Sequence, residues 1–384
     1  MTFLCLHALT TVPFSNMNRD ENGEPKKVLY GGATRERWSS QAQSRPLRLH
    51  IEEATGIQAL RTRRIPQQLT NRLTARDWPN DLAASAAEQT MTSAGLGVDR
   101  NGNTVLAFIS ASAIDQLADL CDTHRQAIEQ HANDNTGKKS KKGSATGIPA
   151  TDVQKILTSS NGSIGLFGRM LAELPDAGVD AARQMAHGFT THAVPNVPMS
   201  DFFTAVDDLQ GDSETGSGHM NHAYYASGTF YRYAVLDLDS LLNNLDSDTE
   251  TARILVTAFT DGFIRTLPQA KKNTTAPATA PDLVHLTVRT DQPLNYSPAF
   301  ERPITDHNRS GWAEPSRQAL AHYAQRLTTL IGDPDTGASP WSGYATIAAD
   351  DYPGLGARAT SYPALTKTAT EELFDAHNKT AKRP

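Results

Sequence analysis

Residues 31–48, GGATRERWSSQAQSRPLR, gather Arg35, Arg37, Arg45 and Arg48 against one acid, Glu36, in a chain whose net charge is −6. An arginine presents a planar fork of N–H donors that matches a phosphate, and the free N–H groups at a helix start favour the same anion. The chemistry on offer is recognition of a polyanion. The imbalance extends beyond this stretch: residues 1–76 hold 12 Lys and Arg against 6 Asp and Glu, while the other 308 hold 24 against 36. A basic module inside an acidic chain marks one anion-binding face, although arginine-rich helix faces that are merely solvated leave the same footprint.

Bond-making chemistry finds less support. The sequence has no HExxH, GxSxG or CxxC pattern. GSIGLFG at 162–168 spaces its glycines by three, but no Lys-Ser/Thr follows, so it is neither a phosphate loop nor a dinucleotide fingerprint. His219 and His222 stand at a spacing open to a metal, yet no second ligand pair accompanies them, and polar loop histidines fit as well. Asp207 and Asp208 are adjacent and on a strand would point to opposite faces, which rules them out as a paired acid and base. Asp20 is a lone carboxylate near the basic stretch, most simply a surface acid. The expectation is a protein with no catalytic residue, metal or cofactor.

These residues need a frame. Residues 2–12 read as a strand, 13–27 as a polar loop turning at Asn22-Gly23, and 28–30 as a short strand closed by Gly31-Gly32. A helix follows, with Leu47, Ile51 and Ala54 on one side and Gly56 at its end. Ser39 and Ser40 are N-cap candidates, and Ser40 with Gln43 fits a capping box, but Pro46 then sits deep in the helix; Ser44 as the cap would bring Pro46 into the tolerated first turn. Residues 58–132 show apolar spacings of three and four and read as helices, and 133–147 as a basic low-complexity loop. AARQMAHGFTTHAV reads as a helix leading to a strand. Residues 201–238 read as a long hairpin with a polar tip. A helix at 249–266, a loop at 269–281, a strand at 283–290, a helix near 315–331 and Gly/Pro-rich coil complete the chain. This order fits an α+β protein: a ferredoxin-like split βαβ core with two large insertions, a common platform for binding RNA.

The length of 384 residues allows one elaborated domain or a few modules. Cys5 and Cys121 lack metal or redox spacing, the N-terminus lacks a basic region before its apolar run, and no apolar run approaches a membrane span. A cytoplasmic protein without a membrane partner is expected.

Several segments, taken in order, resemble a known family: NRD at 18–20, GG at 31–32, RxRxSSQ at 35–41, GRM at 168–170, FTAVDDL at 203–209 and SGTFYRYA at 227–234. Together they resemble the CasC family, the backbone subunit of the type I-E CRISPR Cascade complex, from about residue 3 to about residue 300. The resemblance implies a non-catalytic protein shaped like a right hand. Its palm would be a ferredoxin-like, RNA-recognition-like core (1–58, 186–196 and 230–384), its fingers a helical insertion (59–185) and its thumb a β-hairpin (197–229). Copies would assemble head to tail in a homo-hexameric helical filament along a CRISPR RNA, beside other Cascade subunits, and display the guide for pairing with target DNA.

The same resemblance implies roles for residues. Ser39, Ser40, Gln41, Arg45 and Arg48 match the family's segment for the guide backbone, and Asn18 and Arg19 a second guide-contacting loop. The family often has lysine at the position of Ser44 and lacks Pro46. Met170, in Phe167-Gly168-Arg169-Met170, and Met220, after His219, match positions that wedge bases apart; an apolar side chain between bases replaces lost stacking. By itself Met170 reads as a core residue, whereas Met220 in a polar tip does not. Phe202 and Phe203 match thumb-base positions that stack on bases. Lys271, Lys272, Thr274 and Thr275 match a further contact loop. Tyr231, Arg232 and Tyr233 fit either an RNA-binding sheet or plain palm packing. The alternative is an RNA-cleaving backbone subunit of the type III kind, with Asp20 as its carboxylate.

Overall fold

The computed structural model describes residues 1–99, 102–104, 106–134, 147–170, 178–205, 219–305, 311–331 and 340–381. Most of the 133–147 loop and the hairpin tip with Asp207 and Asp208 fall outside them. The strands are β1 Phe3–Ser15, β2 Lys27–Tyr30, β3 Ala33–Trp38, β4 Ala59–Thr62, β5 Val98–Asp99, β6 Gly102–Asn103, β7 Ala107–Ser110, β8 Arg183–Met185, β9 Gly188–Thr190, β10 Met199–Ala205, β11 His219–Asp237, β12 Leu283–Arg289, β13 Trp341–Thr346 and β14 Ala357–Arg358. The helices are α1 Ser40–Thr55, α2 Ile65–Thr74, α3 Asn80–Ser93, α4 Ala113–Thr123, α5 Arg125–Asp134, α6 Ala150–Thr158, α7 Gly162–Phe167, α8 Leu238–Asn244, α9 Thr249–Arg265, α10 Lys272–Thr275, α11 Ala313–Ile331 and α12 Tyr362–Ala381.

Two compact units result. The first comprises Met1–Ala54, Arg183–Asp239 and Arg253–Pro384. It is built on a large mixed sheet ordered β14-β13-β12-β1-β11-β9-β3-β2, with β8 and β10 also pairing β11. β1 lies at its centre, antiparallel to β11 from Phe3↔Asp237 to Ser15↔Ala226 and to β12 from Phe3↔Arg289 to Leu9↔Leu283. β12, paired with β1 on one side and β13 on the other, is buried at every residue, including His285, Thr287 and Arg289. Tyr231, Arg232 and Tyr233 are buried in this core, so of their two readings packing is the one realised. The buried His7 stacks on Tyr296 and shares a 2.9 Å hydrogen bond with the Tyr231 hydroxyl; burial holds its imidazole well below the usual value.

The second unit comprises Thr55–Ala182 and Ser240–Ala252. Its core is a helical cluster in which Leu69, Leu73, Met91, Leu117, Ile128 and Val153 are fully buried. Two small sheets, β4-β7 and β5-β6, accompany the helices. Full burial of a side chain of this size contributes roughly 1.5–3 kcal/mol, so this cluster accounts for much of the unit's stability.

The structure corrects several expectations. Residues 59–62 form strand β4 rather than the start of a helix, because Leu60 pairs opposite Ile109 of β7 and Pro66 at the second helical position sets the start of α2 at Ile65. Residues 183–190 form β8 and β9, with no helix; pairing with β11 and β3 overrides the helical propensity of Ala-Ala-Arg-Gln. The C-terminal coil is instead β13, β14 and the 20-residue helix α12. α1 starts with Ser39 as its cap: the Ser39 hydroxyl accepts from the Ala42 N–H at 3.2 Å. Ser44 is not the cap; its hydroxyl donates to the Ser40 carbonyl at 2.6 Å, and Pro46 lies inside the helix. Gln43 closes no capping box, because its amide donates to the Trp38 and Ala186 carbonyls and accepts from Arg232. Leu47 and Ile51 are buried, while Ala54 is exposed in the last turn before Gly56.

Candidate nucleic-acid interface

The four arginines that open the argument have four different environments. Arg35 is fully buried and donates to the carbonyls of Thr190, Thr191 and Phe300 at 2.9 Å each and of Glu301 at 3.1 Å. It is a structural clamp between β3, the end of β9 and the turn at 297–301. Gly31 serves the same junction: with φ +58° it needs glycine, and a Cβ there would lie 1.7 Å from the Glu301 carbonyl oxygen. Arg48 is neutralised by Glu52, whose two carboxylate oxygens accept from it at 2.7 and 2.8 Å. Arg37 donates to His187 Nδ1 at 3.3 Å; burial, with the charges of Arg37 and Lys26 beside it, holds that imidazole below its usual value and so neutral enough to accept. Arg45 alone of the four is exposed on α1, one turn beyond the exposed Gln41.

The polar loop at 16–26 is fastened to the start of α1. Asn18 Oδ1 accepts from the Ser39 N–H at 2.7 Å, and the Asn18 carbonyl accepts from the Lys26 N–H at 2.9 Å. Arg19 next to it is exposed. Asn18, Arg19, Ser39, Ser40, Gln41 and Arg45 therefore form one surface, with the N–H groups of Ser40 and Gln41 free of partners among the described residues and no acid in the first turn of α1. Such a helix end favours an anion. The sequence reading placed Arg37 in the basic stretch without a contact role and missed Lys26 and His187 at its border. The Arg37 N–H donates to the Lys26 carbonyl at 2.8 Å, just before β2, which brings these two residues together. Asp20 does not aim into this surface: its Oδ1 accepts from the N–H groups of Asn22 and Glu24, both at 2.9 Å, so the carboxylate holds the loop's turn.

The hairpin β10-β11 supplies apolar groups. Its register places Phe202 opposite His222 and Thr204 opposite Met220. Directly opposed residues share a face, so Phe202, His222 and Met220 line one face and Phe203, opposite Asn221, lies on the other. Phe202 is 54% exposed, Phe203 42% and Met220 63%. The Phe202 and His222 rings lie 5.6 Å apart. His222, two residues from Met220, was legible as a member of this stripe from strand alternation alone. His219 begins β11 opposite Ala205. Among the described residues no group of three or more His, Cys, Asp or Glu could hold a metal ion.

In the second unit, the FGRM segment divides by role. Phe167 is buried; Gly168 has φ +74°, and a Cβ there would meet the Val179 carbonyl oxygen at 2.9 Å. Arg169 is buried and donates to the last carbonyls of α6, at 2.5 Å to Thr158 and 2.9 Å to Ser159. Its burial pulls its pKa below the usual arginine value. Met170, which read by itself as a core residue, is 88% exposed. Back in the first unit, Lys271 takes a left-handed conformation before the single turn α10, and its carbonyl accepts from the hydroxyls of Thr274 at 3.2 Å and Thr275 at 2.9 Å. The threonine hydroxyls are thus turned into their own loop.

The model of the CT1975-like protein family matches residues 4–359. The chain belongs to that family. It is the family of CasC, the non-catalytic backbone subunit of the type I-E CRISPR RNA-guided surveillance complex, as the motifs imply. The chain is similar to a chain of a solved CRISPR RNA-guided surveillance complex, pre-nicking, with 42% identity over 97% of this chain and 100% of that one and a TM-score of 0.88. It is similar to a chain of another CRISPR RNA-guided surveillance complex with 36% identity over 96% and 99% and a TM-score of 0.79. No curated protein matches it. No described helix is long and apolar enough to cross a membrane.

Proposed function

We propose that this CasC-family subunit holds a CRISPR RNA by its backbone and polymerises along it head to tail in a six-copy helical filament, leaving guide segments open to pair with target DNA. The first unit acts as the palm. Its strands β12, β1, β11 and β9, each antiparallel to its neighbour, follow the 4-1-3-2 order of a ferredoxin-like core, with α1 and α9 as the connecting helices. The second unit acts as the fingers and the β10-β11 hairpin as the thumb. Guide phosphates lie on the α1 start, held by Asn18, Arg19, Ser39, Ser40, Gln41 and Arg45. Met220 with Phe202 on one hairpin face, and Met170 in the fingers, separate and cap bases. Lys271 adds charge at a further loop. The protein reads shape and charge, and pairing supplies sequence specificity.

The observation that carries this reading is the exposure of Met170 and Met220, at 88% and 63%. Large apolar side chains held in water mark a contact surface. The test is purification of the tagged chain from cells with its native complex and sequencing of the RNA that accompanies it. Uniform short RNAs with repeat-derived ends support the proposal, whereas heterogeneous RNA in an assembled complex refutes it.

A further inference from the structure

We infer that Arg232, buried beneath the start of α1, is a positioning residue for guide RNA: an uncompensated interior cation that draws a phosphate onto the first turn of that helix. This rests on the guide-binding reading above. Arg232 lies on β11 and is only 1% exposed, so it packs in the core and does not itself touch RNA. A charge taken out of water is normally met by a carboxylate, or by enough hydrogen bonds to replace its hydration. The buried Arg35 meets that need with four carbonyls. Arg232 does not. Its Nε donates to Gln43 Oε1 at 3.2 Å, its guanidinium lies 4.6 Å from the centroid of the Phe263 ring, and its Nη1 has no hydrogen-bond partner among the described residues. No carboxylate among the described residues offsets its burial, which pulls its pKa down to about 10, still well above neutrality. The group therefore stays charged, and a position that needed only volume would hold an apolar side chain.

The surroundings of Arg232 leave one place where an anion can answer this charge. Gln43 closes the first turn of α1: its N–H donates to the Ser39 carbonyl at 3.2 Å. Its side chain turns back towards the helix start, where the amide donates to the Trp38 carbonyl at 3.4 Å and to the Ala186 carbonyl at 3.1 Å. Trp38 directly precedes the cap residue Ser39, so a single carboxamide separates the guanidinium from the backbone that opens α1. Phe263 of α9, itself fully buried, packs against the guanidinium and keeps it in surroundings of low dielectric. Above Gln43 lie the N–H groups of Ser40 and Gln41, with no acid in the first turn. The helix dipole and the buried cation thus favour an anion at the same point. Two unit charges about 10 Å apart, at an effective dielectric constant of about 20, attract enough to change an affinity roughly tenfold. A cation fixed in the core cannot swing to another phosphate, which suits a subunit that keeps its register along a guide.

The test compares the full-length parent with Arg232→Met, Arg232→Gln, Arg232→Lys and Arg45→Ala. The readouts are the melting temperature of the RNA-free chain and the affinity for a labelled single-stranded RNA of mixed sequence at pH 6.5. Arg232→Met and Arg232→Gln are expected to bind RNA about tenfold more weakly, yet to melt within about 2 °C of the parent or above it, because both remove an uncompensated buried charge. Arg232→Lys, which keeps the charge, recovers most of the affinity. Should R232M not fold, R232Q, neutral and able to bond Gln43, carries the same expectation. Binding by both neutral variants within about threefold of the parent, with Arg45→Ala weakened, overturns this inference alone and leaves the guide-binding reading standing. Arg232→Lys as weak as the neutral variants also overturns it, because charge is then not what matters. So does a melting temperature that falls in both neutral variants in step with their loss of RNA, which makes Arg232 a packing residue only. A parent that holds no RNA, alone or in its assembled complex, removes the guide-binding reading and this inference with it.

Discussion

Arg35 and Arg45 stand ten residues apart in one basic stretch, and their environments predict opposite failures. Arg35→Ala removes a fully buried guanidinium and leaves the carbonyls of Thr190, Thr191, Phe300 and Glu301 facing a void. A hydrogen bond to a charged group contributes about 1.5–3 kcal/mol net, but these four share one donor group and water can enter the space. If half the sum is expressed, the loss is about 4 kcal/mol, at the upper end for any single substitution. For a unit of this size that is a fall in Tm of roughly 8–16 °C. Arg35→Lys keeps a charge but lacks the fork, and falls between the two. Arg45→Ala, at an exposed position, shifts stability by no more than about 0.5 kcal/mol and instead reduces the RNA held by the complex. Thermal unfolding of the three purified variants, followed by circular dichroism, together with the RNA-to-protein ratio of their complexes, checks both halves. If R35A melts within about 1 °C of the parent and loses RNA as R45A does, the clamp assignment is wrong and Arg35 belongs to the interface.

The other expectations concern wedges, a buried acid and the turn carboxylate. Met170→Ala and Met220→Ala leave thermal stability within about 0.5 kcal/mol of the parent, because both side chains are exposed, and instead change the periodic nuclease footprint along the guide. Burial raises the Glu36 carboxyl to about 8, so the folded state keeps a proton that the unfolded chain releases above its ordinary carboxylate range. Stability from this group is therefore full below about pH 4.5 and is lost as pH rises towards 8; urea midpoints measured from pH 5 to 8 decline in the parent and flatten in Glu36→Gln. Asp20→Asn leaves the Asn22 and Glu24 N–H groups without their charged acceptor and costs about 1 kcal/mol in local stability, read by amide exchange. The parent complex, given complementary RNA and magnesium, releases no regular cleavage ladder.

What was legible in the sequence followed from local chemistry. The Ser39 cap region, the hairpin and α9 announced themselves through cap residues, strand alternation and helical spacing, which do not depend on distant partners. β4 and β8 did not, because their conformation is decided by pairing with β7 and β11, tens of residues away. The C-terminal strands were hidden for the same reason: β13 becomes a strand by lying beside β12.

The arginine stretch shows the same division within the site. Charge density pointed to a polyanion, yet counting arginines treated them as equal. Arg48 is offset by Glu52 one turn on, an i,i+4 pair visible in the sequence, whereas the burial of Arg35 depends on β9 and the 297–301 turn and was not visible. The methionines reverse the lesson. Met170 had every local mark of a core residue, but no partner among the described residues closes over it, and its exposure beside the buried Phe167 and Arg169 is the physical sign of a contact surface. A basic patch measures how strongly a polyanion is attracted. Which side chains remain free after the fold has taken its own hydrogen bonds decides where that polyanion is held, and here this narrows four arginines of α1 and its approach to Arg45, with the uncapped N–H groups of Ser40 and Gln41 beside it.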